Sequence, residues 1–135
     1  MNPVGDEMRT MVMLTMILFV ASGILSQSQT LCRAWVEIDK DGSATTITGR
    51  FYNNTVQDLT LTYRLEAEKT GPSGRSSTKQ SGSFVAEGQK EVSLSKVVLN
   101  IQPNDSCKVT LHIVDGETIV ASDSILYHGD SQEER

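Results

Sequence analysis

Between Thr30 and Tyr127 apolar and polar residues alternate with a period of two, and no stretch carries a helical period. The clearest case is Leu59, Leu61, Tyr63, Leu65 and Ala67, which interleave with Thr60, Thr62, Arg64, Glu66 and Glu68. That is the pattern of a strand with one face on a core and one in water. Strands are predicted over Leu31–Ile38, Thr45–Tyr52, Leu59–Lys69, Arg75–Ala86, Glu91–Ile101, Cys107–Val114 and Thr118–Leu126. Turn residues separate them. Asp39-Lys40-Asp41-Gly42-Ser43 ends the first, and Asn53-Asn54 the second. Gly71-Pro72-Ser73-Gly74 turns the third into the fourth, and Asp115-Gly116 is a two-residue hairpin signal before the last. In the fifth run Val92 and Leu94 change parity to Val97, Leu99 and Ile101, which predicts a bulge or break near Ser95-Lys96. Short strands at this spacing predict an all-β fold, a single immunoglobulin-like β-sandwich of about seven antiparallel strands over residues 29–127.

The arm Arg75–Ser83 is almost wholly Ser, Thr, Gln, Lys and Gly, so it reads as an edge or solvent-facing strand. The tail from His128 to Arg135 is polar and is expected to be disordered.

The first residues change the compartment. Met11–Val20 is apolar apart from Thr15, follows Arg9, and precedes Ala21-Ser22-Gly23. This order predicts a cleaved signal peptide over residues 1–28, with translation beginning at Met1 or at Met8. The apolar run is short of the roughly 20 residues a bilayer span needs, so no membrane attachment is expected after cleavage. Loss of Asp6, Glu7 and Arg9 takes the 17 acidic and 12 basic residues to 15 and 11, a net charge of −4. An acidic chain without a basic stripe is not expected to bind nucleic acid. Cys32 and Cys107 are the only cysteines. Both fall on inward parity, and export to an oxidising compartment predicts a disulfide between them, two buried free thiols being the alternative.

Few residues suggest chemistry. Asp39-Lys40-Asp41-Gly42 imitates a calcium loop, but alignment on its glycine puts Thr48 where a bidentate carboxylate is required, so a tight turn is expected. His112 and His128 are isolated from any nucleophile elbow or phosphate loop, and no enzyme, metal or cofactor is expected. Asn53-Asn54-Thr55 and Asn104-Asp105-Ser106 match the glycosylation triplet, a pattern common by chance in such turns. Trp35 has outward parity beside Arg33 and Glu37 and is a candidate interaction anchor.

The run from Glu66 to Phe84, EAEKTGPSGRSSTKQSGSF, resembles the signature of the curli-system accessory proteins of the CsgC/CsgH type. The resemblance extends from about Cys32 to Ile125. It includes Lys69-x-Gly71, Ser73-Gly74, Gln80-x-Gly82-x-Phe84 and Asp123, and it is nearer the CsgH-like branch because no C-x-C pair is present. It implies a periplasmic, chaperone-like protein whose partner is the curli amyloid subunit and which restrains its polymerisation; the mature domain is itself expected to be a monomer. Arg64, Lys69, Arg75 and Lys79 around the hairpin, together with Trp35, are then the candidate partner-binding residues. The alternative is a secreted adhesive or carbohydrate-binding β-sandwich module, which would want an exposed aromatic platform.

Overall fold

Each predicted run is a strand in the structure, a computed structural model that describes residues 32–42, 44–72, 74–130 and 132–134. The export segment expected over residues 1–28 lies outside them. The strands are β1 (Cys32–Asp41), β2 (Ala44–Asn53), β3 (Leu59–Gly71), β4 (Gly74–Ala86), β5 (Glu91–Asn100), β6 (Ser106–Asp115), β7 (Thr118–His128) and β8 (Gln132–Glu134). No helix among the described residues is long and apolar enough to cross a membrane. Several strands run further into their turns than side-chain patterning predicts, because main-chain pairing continues to the turn itself. Gly71 pairs with Gly74 across Pro72-Ser73, and Asp115 pairs with Thr118 across Gly116-Glu117. The last hairpin loop is thus one residue later than the Asp-Gly signal suggested, with Gly116 supplying the positive φ of 62°.

Every pairing is antiparallel, and the strands form two sheets, ordered β1-β2-β5 and β4-β3-β6-β7-β8. Their inner faces enclose one core. Val36, Ile47 and Phe51 come from the smaller sheet, and Leu65, Val109, Leu111, Ile113 and Ile125 from the larger. Phe84 meets Phe51 edge-on at 5.6 Å, so an arm that is polar elsewhere keeps one aromatic anchor. The parity change in β5 is a bulge: Gly49 pairs with Ser95 but Arg50 with Ser93, which leaves Leu94 as the extra residue.

Buried polar side chains clasp both ends of the sandwich. At one end Asn53 is fully buried. Its Nδ2 donates to the carbonyls of Gln57 (2.7 Å) and Ala86 (2.9 Å), and its Oδ1 accepts from Thr55 N (2.9 Å) and Thr55 Oγ1 (2.7 Å). The Asn-Asn-Thr triplet is therefore a structural clasp whose first amide is out of reach of modification. At the other end buried Asp105 accepts from Gln102 N (2.9 Å), while its carbonyl accepts from Gly129 N (2.9 Å). Gly71 packs so closely there that a Cβ would sit 1.7 Å from Asp105 Oδ1, so no larger residue fits.

Two expectations are corrected. Cys32 and Cys107 are both free thiols. Their inward parity holds, since Cys107 is fully buried and Cys32 packs against the core, but parity says nothing about height along the sandwich. Val36 N bonds to Asp123 Oδ2, and Asp123 pairs with Leu111, which fixes one common level. Cys32 lies four residues from that level toward Asn53 and Ala86. Cys107 lies four residues from it the opposite way, toward Gly129, whose carbonyl accepts from Lys40 Nζ at 3.1 Å. At a rise of about 3.3 Å per residue the two are about 26 Å apart, against the roughly 7 Å limit between bridged Cα atoms. The second correction is the tail. Gln132–Glu134 pairs with Leu126–His128, because main-chain bonding to an uncovered strand edge asks nothing of the side chains.

Burial pushes the Cys107 thiol up to about 11, with Lys69 opposing weakly, and burial raises Cys32 as well. At pH 8 a thiol reagent is expected to modify Cys32 first and Cys107 only after unfolding, with two thiols counted in denaturant. The folded-state value of Cys107 lies above its ordinary 9.0, so the unfolded chain loses this proton first. The thiol's contribution to stability is complete below pH 9 and lost as pH rises through about 11, and Cys107→Ala should remove that part of the pH dependence. Replacing Asn53 by Ala should cost about 2–4 kcal/mol in urea unfolding, since it removes four hydrogen bonds of a fully buried amide, among them those to the Ala86 carbonyl and the Thr55 amide.

Candidate functional site

The solvent face of the larger sheet is built by register. Across β4, β3 and β6 the outward side chains align in rows: Ser81, Arg64 and His112, then Lys79, Glu66 and Thr110, then Ser77, Glu68 and Lys108. Arg75 stands beside Thr70 and Ser106 in the next row. Four cationic and two acidic side chains give the part of this face on β4, β3 and β6 a net +2, on a chain whose formal charge is −5. Arg75 Nη2 contacts Glu68 Oε1 at 2.7 Å, and Lys79 Nζ lies 3.9 Å from Glu66 Oε1. Both cations are about three-quarters exposed, so these pairs are loosely held and add little stability. Among the described residues Arg64 and Lys108 have no carboxylate at ion-pair distance. A shallow hollow of about 220 Å³ opens on the hairpin between Arg64, Leu65, Glu66, Lys79, Gln80 and Ser81.

Of the five residues singled out in the sequence, the structure brings Arg64, Arg75 and Lys79 together on this face. Lys69 turns away from it. Its parity is that of Leu65 and Ala67, and its Nζ donates to the Asn100 carbonyl of the other sheet at 3.0 Å. Lys108 was missed. Its outward parity is readable in the sequence, but only the β3–β6 pairing sets it beside Glu68.

Trp35 lies on the outer face of the opposite sheet, in register with Arg50 and diagonal to Tyr52. The Arg33 guanidinium sits 5.1 Å from the centre of its ring, and its Nε1 donates to Glu37 Oε1 at 3.3 Å. Arg50 holds the other Glu37 oxygen at 2.7 Å and reaches Glu91 at 3.7 Å. The bond from Arg50, and secondarily that from Trp35, keeps the Glu37 carboxyl below the usual carboxylate range. This ladder caps the indole with a cation, so it is not a bare aromatic platform of the kind a glycan stacks on. Among the described residues no three His, Cys, Asp or Glu side chains gather as a metal ion would require.

The four lateral edges differ. β1 is closed against β7 by the bond from Val36 N to Asp123 Oδ2, at 2.9 Å. The end of β7 is covered by β8, and β5 is broken by the bulge at Leu94. β4 runs thirteen residues in unbroken register with β3, contains no proline, and ends the larger sheet.

The family profile described as CsgH protein matches residues 33–124. The fold is similar to the solution structure of R. palustris CsgH, with 26% identity and a TM-score of 0.55 over 67% of this chain and 89% of that one. It is also similar to the E. coli curli protein CsgC, with 24% identity and a TM-score of 0.60 over 69% and 96% of the two chains. A putative β-galactosidase from Bacteroides fragilis shares the fold alone, at 13% identity and a TM-score of 0.50, this chain matching 18% of its length. A search of curated proteins finds no match. The match to the profile spans well over half of the sequence, and the chain belongs to the CsgH family.

Proposed function

We propose that this protein is a periplasmic accessory of curli biogenesis that restrains amyloid polymerisation of the curli subunit by binding its unfolded chain. The observation that carries the reading, beside family membership, is the cationic and polar face formed by Arg64, Arg75, Lys79 and Lys108 next to an open strand edge. Amyloid nucleation requires several chains to align extended strands, and it is slow. A soluble domain that engages one such chain transiently lowers the concentration available to form a nucleus. Polar and ionic contacts suit this task, because they assemble fast and release without ATP or covalent chemistry. The domain acts as a monomer, and export through the segment at residues 1–28 delivers it to the compartment where the subunit passes. The ladder around Trp35 takes no part in this contact, since it lies on the opposite sheet.

Sub-stoichiometric amounts of the mature domain are expected to lengthen the lag of curli-subunit fibril formation, followed by thioflavin fluorescence. An unchanged lag at equimolar protein would end this assignment. Replacing Arg64, Arg75 and Lys79 together by Glu should shorten the lag again while altering stability by only about 1 kcal/mol, as exposed substitutions do. Added salt should act in the same direction, since exposed charges are screened beyond about 8 Å at physiological ionic strength. Lys69→Glu is the control: it removes the bond to Asn100, lowers stability by about 1 kcal/mol and leaves the lag unchanged.

A further inference from the structure

We infer that β4 is a strand-addition site, and that it takes an extended polypeptide carrying two carboxylates four residues apart. The inference rests on the reading above and names the form in which the client chain is held. Strand edges are ordinarily protected by bulges, prolines, covering elements or short length. Here the protection is unequal: β1, β5 and β7 each have such a device, and β4 has none of these along its thirteen residues, only the charges of Arg75 and Lys79, which repel a like-charged strand and leave the edge open to an acidic one. As the outermost strand, paired with β3 on one side alone, it leaves a regular row of main-chain groups without a strand partner between Gly74 and Val85.

The side chains of β4 define the occupant. Arg75 and Lys79 share the outer side and stand four residues apart, about 13 Å along the strand. Two β4 strands brought edge to edge would set these cations against each other, which disfavours a second copy of this chain. An incoming strand with Asp or Glu at positions i and i+4 places a carboxylate beside each. Inward-facing Thr78, Gln80 and Gly82 are only half-buried at the mouth between the sheets. Gly82 is covered by the Tyr63 ring, which a Cβ there would meet at 3.2 Å. Small or amide side chains on the inward positions of the added strand continue this row, Gln80 offering an amide for laddering. Main-chain bonds then supply affinity, and the paired carboxylates supply register.

The test uses the folded domain with two synthetic, unstructured Gln/Ser-rich peptides, one carrying two Asp four residues apart and one carrying two Lys at those positions. Amide hydrogen exchange is followed by NMR. With the Asp peptide, slowed exchange is expected at every second amide between Arg75 and Val85 and not along β1 or β5. The Lys peptide should bind about tenfold more weakly or worse, a difference of about 1.4 kcal/mol. The variant Lys79→Glu, which leaves one cation and one anion along β4, should abolish that preference, and Arg75→Glu together with Lys79→Glu should reverse it. Saturation with the Asp peptide without alternating protection in β4 overturns strand addition, as does equal binding of the two peptides. If the intact curli subunit is still delayed in that case, the inhibitor reading survives alone. If the lag is unchanged but β4 is protected by the Asp peptide, strand addition stands and the inhibitor reading falls.

Discussion

The hydrogen bond from Val36 N to Asp123 Oδ2 decides how this sandwich is closed. A sandwich of open sheets has two lateral sides, and the backbone groups on each must be satisfied by solvent, another strand or a side chain. Asp123 settles one side: its second oxygen accepts from Ser124 N at 3.0 Å while the first reaches across to β1. A charged acceptor makes a stronger bond to a backbone donor than a neutral one would. The same bond sets β1 and β7 at one level and so fixes the heights of everything along both sheets. The two cysteines fall at opposite ends as a consequence.

With that side closed, the other belongs to β4 and β5, and the two strands meet exposure differently. The register of β5 is interrupted at its bulge, whereas all thirteen residues of β4 pair with β3 without a shift. Its stability comes from that pairing and from Phe84, whose ring contacts both Phe51 and Tyr63, not from burial along its length. Such an arm can change its surface residues with little effect on folding. The charges on it are thus open to selection for contact with a partner, or against contact with its own copies.

The loops at the two ends follow the same economy of polar burial. Asn53 uses all four hydrogen-bonding positions of its amide within one buried turn. Asp105 does comparable work where β5 leads into β6 and the end of β7 comes alongside. In sequence each belongs to a triplet that suggests modification; in the fold each is a connection between strands. Burial is what changes the meaning, since the same side chain exposed would hold nothing together.

Strand number, strand type and inward or outward parity were legible in the sequence, because a period of two is a property of the chain itself. Ala34, Val36, Ile47, Phe51, Val109, Leu111 and Ile113 are buried as their alternation requires, and the edge character of the arm after Gly74 follows from its lack of apolar positions. The turn residues and the bulge near Leu94 were legible to within a residue or two for the same local reason. Which strands are neighbours, and at what height, was decided only by the tertiary structure. Parity placed both cysteines inward but could not place them about 26 Å apart. It placed Trp35 and Lys79 outward but could not tell one sheet from the other, and it gave no hint that Lys108 joins Arg64 across β3 or that Lys69 turns to Asn100. The tail's pairing with β7 also escaped a side-chain reading, because the bonds that hold it are those of the backbone, which every sequence shares.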